Sequence, residues 1–300
     1  MEQVLKSYLG YICGKDNVAE NVPLAGKTTF RIGGPARWFV TVPTKEALLR
    51  LISALNYIEL PWFIIGAGAN VLAADNGYNG VVIKLGFKDI IDNGCFIYAD
   101  AGASLKRLCN FARFQSLSGL EFATGIPGTV GGAVYMNAGA HGGQISDIVA
   151  MVDALIDGEV RTLDARALKF RYRRSVFHRK PKWIILGAYF YLKKCTNKNE
   201  IVAKEQAFLA ARLGSQPLQP SAGSVFKRPS PDFAVGKAVD ELGLKGTKIG
   251  GAQISDKHAG FIVNTGGATC ADVLALVKLV RKKIKDKHNL YLQTEIQILK

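Results

Sequence analysis

The stretch from 119 to 143 constrains the fold more than any other part of the chain. Glycines stand at 119, 125, 128, 131, 132, 139, 142 and 143, among small or β-branched residues with almost no charge. Glycine loses more backbone freedom on folding than any other residue and packs no side chain in return. So dense a run needs a local cause. Close approach of main chain to a flat or anionic ligand supplies one, because N–H groups exposed at sharp turns bind anions and helix N-termini add partial positive charge. A tight crossing of buried strands is the plainer alternative, but it seldom needs so many glycines in one span.

A chain of 300 residues exceeds one small core, so two or three lobes are expected. The net charge of +15 favours anionic partners: nucleic acid, a membrane surface or a phosphorylated small molecule. Lysine and arginine are spread along the chain, with one cluster at 281–287, which argues against a dedicated nucleic-acid face. Cysteines at 13, 95, 109, 195 and 270 have no zinc-finger or redox spacing. They read as reduced thiols of a cytoplasmic protein, and no metal site is expected. No signal peptide is expected, and the longest apolar stretch, 60–74, is too short and too broken to span a bilayer.

Residues 1–20 read as helical and peripheral. Residues 36–42 alternate as a strand, Thr44 caps a helix over 45–57, and 62–65 is a buried strand. That strand enters the turn Gly66, Ala67, Gly68, Ala69, Asn70, and 81–85 is a further strand. A full dinucleotide fingerprint fails because position 71 is Val. Strand 96–100 is followed by a helix over 105–115 capped by Ser104. After the glycine stretch come strands at 148–155, 160–163 and 183–191, with a short helix at 165–168. Several strands with few helices predict an antiparallel α+β lobe. A helix over 200–213 precedes a proline-broken loop at 216–229. Helices at 235–242 and 272–285, a strand at 261–264 and a final alternating strand at 290–299 complete the chain.

Five segments, in order, resemble one family: Gly125 to Ala133, Met136 to Gly139, Phe170 to Ser175, Pro220 to Lys227 and Lys257 to Asn264. The chain is similar to UDP-N-acetylenolpyruvoylglucosamine reductases from about Leu24 onward, in the shorter form that lacks an extra tyrosine-bearing loop. The resemblance implies an α+β protein of three lobes. Two, at 1–88 and 89–200, would form a vanillyl-alcohol-oxidase-type (PCMH-type) FAD-binding fold, and 201–300 would bind substrate. It further implies non-covalent FAD, NADPH as reductant, a nucleotide-sugar substrate, and a cytoplasmic enzyme of peptidoglycan synthesis that is a monomer without nucleic-acid or membrane partners.

Within that resemblance, FAD is expected at Gly66, Gly68, Ala69, Asn70, Gly125, Pro127, Gly128, Thr129, Gly131, Gly132, Asn137 and Gly139, with glycine N–H groups facing its pyrophosphate. Ser224 would donate a proton, Arg173 would stabilise an enolate-like intermediate, and Glu295 would polarise the substrate carboxylate. Tyr172, Lys227, Arg228 and His258 would contact substrate. Taken singly, Ser224 could be a turn serine, Arg173 a solvated cation beside Arg171 and Arg174, and Glu295 the outer face of an edge strand. His141 stands where the family has tyrosine, Arg228 where asparagine is usual, and Thr294 where proline is usual. Two other functions fit parts of the sequence: another flavoenzyme of alcohol or aldehyde oxidase type, and a basic nucleic-acid-binding protein.

Overall fold

A computed structural model describes residues 2–94 and 96–300. The chain packs as two compact units, Met1–Glu20, Trp38–Ala67 and Gly80–Arg212 in the first, and Asn21–Arg37, Gly68–Asn79 and Leu213–Lys300 in the second. Residues 21–37 and 68–79, which a division at 88 would assign to an N-terminal lobe, therefore pack with C-terminal residues.

Two sheets lie largely in the first unit. One has the strand order Val18–Pro23, Pro35–Val42, Tyr78–Leu85, Trp62–Ile65, and its last two strands run parallel. The other is antiparallel, in the order Glu159–Asp164, Val149–Ile156, Ile184–Phe190, Phe96–Asp100, Ile90–Asn93. Helices α1 (Glu2–Cys13), α2 (Lys45–Tyr57), α3 (Leu105–Phe114), α4 (Val130–Met136) and α5 (Lys198–Ser215) accompany them. Thr44 and Ser104 accept N–H bonds from Ala47 and Arg107, so both expected caps form. Leu48, Leu51 and Leu55 of α2 join Val81, Ile83, Leu105, Leu108, Val152 and Leu186 in one continuous core. Lys45 ties α2 to the antiparallel sheet through Asp100 at 2.9 Å and Tyr98 Oη at 2.8 Å. Burial lifts the Tyr98 phenol to about 12.

The second unit is built on an antiparallel sheet ordered Ser221–Ser224, Phe261–Asn264, Ala252–Ile254, Lys248–Ile249. Helices α6 (Val235–Glu241) and α7 (Cys270–His288) belong to it. A capping box of Thr269 and Asp272 starts α7, which buries Val273, Leu276, Val277, Val280 and Ile284. Each such side chain stabilises the unit by about 1.5–3 kcal/mol. Val71–Ala73 pairs in parallel with Gln297–Leu299.

Three expectations need correction, and one element was not expected. Helix α1 stops at Cys13, before Gly14 at φ +89°, and the chain turns into the strand Val18–Pro23. Residues 165–168 form a turn, not a helix, with Asp164 accepting the Ala167 N–H. The last strand is only Gln297–Leu299, because 293–295 bond to a different neighbour, described below. Helix α4 lies inside the glycine stretch, where Gly131 and Gly132 hide its periodicity.

Candidate active site

In the first unit, Thr129 caps α4 by accepting the Gly132 N–H at 3.3 Å. The first helical N–H groups have protein partners: Val130 donates to the Ala103 carbonyl and Gly131 to the Ala101 carbonyl. The Gly131 N–H thus bonds to main chain of the 101–103 turn. A Cβ there would lie 2.9 Å from Ala101 Cβ, so this glycine lets α4 meet the 101–103 turn. Two of the expected cofactor loops touch, since a Cβ at Gly66 would lie 2.6 Å from Thr129 Oγ1. Gly125 turns the loop at φ +78°, and Gly125 and Pro127 are exposed. Gly128 has open space, with Leu105 Cδ1 at 3.7 Å as the nearest atom to a Cβ there.

Gly68, in the second unit, has φ +64°, and a Cβ would lie 2.3 Å from the Lys27 carbonyl oxygen. Only glycine fits there. Ala69 and Asn70 follow, both half-buried.

The segment Phe170–Ser175 wraps the C-terminal end of α4. Asn137, left-handed at φ 44°, ends the helix, and its side chain is 1 % exposed. Its amide donates to Gln144 Oε1 and the Arg171 carbonyl, and its Oδ1 accepts the Ser146 N–H. Asn137 therefore shapes the loop rather than presenting its side chain to a ligand. Ser175 Oγ donates to the Tyr135 carbonyl at 2.7 Å. Arg173, also left-handed at φ 51°, donates from Nη2 to the Gly139 carbonyl at 2.8 Å. A guanidinium on the carbonyl end of a helix is favourably placed. Its partners distinguish Arg173 from Arg171 and Arg174, which are exposed. Tyr172 is exposed, with the Arg173 guanidinium carbon 5.2 Å from its ring centroid.

In the second unit, Ser224 ends a strand that contains a bulge. Ser221 pairs with Val263 and Ser224 with Phe261, so one extra residue stands on the serine strand. Gly223, at φ +75°, supplies it, and an added Cβ would meet nothing. Backbone conformation alone calls for glycine. Such bulges re-aim side chains and are frequent at active sites. Beyond it, the Val225 N–H donates to the Gly260 carbonyl, while the Val225 carbonyl accepts the Glu295 N–H at 2.8 Å. Lys227 N–H donates to the Gln293 carbonyl, and Phe226 and Thr294 form an antiparallel bridge. Ser224, Lys227 and Glu295 thus lie on bonded neighbouring segments. Ser224 is exposed, Lys227 and Glu295 are half-buried, and Arg228 is exposed. His258 Nδ1 accepts the Gly260 N–H at 3.0 Å. Burial, with the charge of Lys245, holds its imidazole below the usual range.

Sequence reasoning missed Arg212. Its Cδ would lie 3.1 Å from a Cβ at Gly125, and burial lowers its pKa. No motif marks an arginine within a helix, so only the packing reveals it. His141 is exposed and stacks on Phe208 of α5, with ring centroids 4.4 Å apart and planes at 8°.

FAD brings a flat ring system and a pyrophosphate. Residues 66–67 and 125–132 of the first unit carry no charged side chain, meet at Gly66 and Thr129, and have a guanidinium beside Gly125. This glycine-walled, uncharged cradle with a neighbouring cation fits such a group.

Residues 36–164 match an FAD binding domain, and residues 216–299 match the C-terminal domain of UDP-N-acetylenolpyruvoylglucosamine reductase. A protein of that name from Pseudothermotoga lettingae is 47% identical over 277 residues, 92% of this chain and 95% of its own length. One from Caldanaerobacter subterraneus subsp. tengcongensis is 42% identical, over 100% of this chain and 99% of its own. The crystal structure of UDP-N-acetylenolpyruvylglucosamine reductase from Thermus caldophilus superposes with a TM-score of 0.82 at 37% identity, covering 94% of this chain and 98% of that one. Most of the residues matched to the FAD binding domain lie in the first unit, and the α+β class is as expected. With matches across nearly its whole length, this chain belongs to the UDP-N-acetylenolpyruvoylglucosamine reductase family.

Proposed function

We propose that this chain reduces UDP-N-acetylglucosamine enolpyruvate to UDP-N-acetylmuramate, with FAD as bound cofactor and NADPH as reductant. When bound, FAD supplies a relay of hydride from NADPH to one carbon of the enolpyruvyl double bond. Gly66, Gly68, Ala69, Asn70, Gly125, Pro127, Gly128, Thr129, Gly132 and Gly139 would hold it, with Gly131 and Asn137 shaping the loops.

The chain's own residues supply the rest. Hydride addition to one carbon builds negative charge on its neighbour and on the attached carboxylate. Arg173 and Glu295 stabilise that charge, the guanidinium being oriented in advance by the Gly139 carbonyl. Ser224 Oγ–H gives the proton to the neighbouring carbon. A serine hydroxyl is a weak acid, so the alkoxide left behind needs a cation, and Lys227, three residues on, is the nearest in sequence. Tyr172, Arg228 and His258 would contact the nucleotide-sugar. The observation that supports this reading is the Glu295 N–H bond to the Val225 carbonyl at 2.8 Å, which joins the main chain of the Glu295 segment to the residue that follows Ser224.

Among the described residues, no helix is long and apolar enough to cross a membrane. We read the protein as a cytoplasmic monomer that acts on small molecules. Anaerobic addition of NADPH to the purified yellow protein should bleach its visible absorbance, and the enolpyruvyl substrate should restore it. A colourless protein, or bleached protein that the substrate does not reoxidise, would refute the proposal.

A further inference from the structure

Glu205 of α5 is 6% exposed, and its carboxylate has two partners on different elements. Oε2 accepts from Arg113 Nη1 at 2.8 Å, and Oε1 accepts from Thr124 Oγ1 at 3.3 Å. Arg113, in the last turn of α3, is itself steadied by a bond from Nη2 to Asn110 Oδ1 at 3.0 Å. Thr124 directly precedes Gly125, where the loop turns at φ +78°. One and two turns further along α5, Leu209 and Arg212 press on the same spot. A Cβ at Gly125 would lie 3.2 Å from Leu209 Cδ1 and 3.1 Å from Arg212 Cδ. One face of α5 therefore lies across this elbow.

The surroundings of the carboxylate are dry. Burial pushes the nearby Cys109 thiol up to about 12, and the charge of Glu205 adds to the shift. A carboxylate in such a place persists only when it is paired. The loop it reaches is also held by main-chain bonds, Ile126 N–H to the Ala123 carbonyl and Leu105 N–H to the Gly128 carbonyl, and Glu205 adds a side-chain tie at its start.

We propose that Glu205 is a positioning residue that hangs the Thr124–Gly125 elbow from α3 and so sets the shape of the Gly125–Thr129 cradle. The proposal rests on the flavin reading above. Its effect should appear in cofactor affinity more than in global stability.

The test uses the full chain freed of flavin, titrated with FAD by fluorescence quenching, with thermal melts on the same samples. Thr124→Val removes the tie to the elbow and keeps the pair with Arg113. Arg113→Met does the reverse. Glu205→Gln keeps an acceptor for Thr124, whereas Glu205→Ala removes both ties. Thr124→Val and Glu205→Ala should raise the FAD Kd about five- to tenfold, the cost of one lost hydrogen bond that orders the site. Glu205→Gln should restore the Kd to within about threefold of wild type. Arg113→Met should lower the melting temperature more than Thr124→Val does, with the smaller change in Kd. An unchanged Kd in Thr124→Val overturns the proposal, as does a Kd that follows melting temperature across all four variants. Failure of the flavin reading looks different: the wild-type chain itself gives no quenching, and the proposal falls with it.

Discussion

The side-chain amide of Asn70 donates to the main-chain carbonyl of Glu295 at 3.0 Å, and the Asn70 carbonyl accepts the Gln297 N–H at 2.8 Å. The last residue of the Gly66–Asn70 turn is thus bracketed to the segment that carries the proposed carboxyl. Asn70→Ala removes one arm of the bracket. Urea unfolding should show a loss of about 1 kcal/mol. NADPH should bleach the protein at the wild-type rate, while reoxidation by substrate should slow several-fold. Release of flavin instead would mean that the side-chain amide, and not the main chain of Asn70 alone, holds the cofactor.

Arg173 is held by the carbonyl of Gly139, beyond the end of α4, so its geometry is set before substrate arrives. Lysine keeps the charge but has no planar fork. Arg173→Lys should slow substrate reduction about 10²-fold, the usual scale for one electrostatic stabiliser. Stopped-flow measurement of the two half-reactions should find NADPH oxidation close to wild type. Equal losses in both halves would place Arg173 with cofactor binding.

Gly223 adopts φ +75° in open space, so Gly223→Ala tests conformation without steric clash. An L side chain there costs about 1 kcal/mol, and the bulge should relax toward a regular pairing. Ser224 would then point away from its present direction. Melting temperature should fall slightly and substrate reoxidation should fall much more. Parallel small losses would mean that the bulge has no part in aiming the serine.

His258 is held neutral by burial, with Lys245 adding to the effect, and its pKa lies below the usual 6.5. In the unfolded chain it takes a proton near 6.5, and in the folded chain only at lower pH. The stability it contributes is therefore present above pH 6.5 and lost as pH falls through the folded pKa. Protonation would also remove the acceptor for the Gly260 N–H. Thermal melts should show wild type losing up to about 1.4 kcal/mol per pH unit across that window. His258→Asn, which keeps an acceptor without titrating, should lack that slope.

Elements with clean periodicity and a capping residue were legible from sequence. Thr44 with α2, Ser104 with α3 and the apolar stripe of α7 are local patterns that tertiary contacts reinforce. Helix α4 was not legible, since its glycines serve close approach to Ala101 rather than helix propensity. The segment 290–299 alternates like a strand throughout, yet Glu295 bonds to Val225 and Gln297 to Asn70, a change of partner that no local pattern encodes. Among the site residues, motifs pointed to Arg173, Ser224 and Glu295, and the structure adds how each is held. The burial of Asn137, the packing of Arg212 on Gly125 and the dual ties of Glu205 arise from contacts distant in sequence.

The account turns on a proton from Ser224 to the substrate carbon that does not receive hydride. Rapid mixing of Ser224→Ala, first with NADPH and then anaerobically with the enolpyruvyl nucleotide-sugar, tests it most directly. The visible band should bleach at the wild-type rate in the first step and should not recover in the second. Recovery at the wild-type rate would contradict the account.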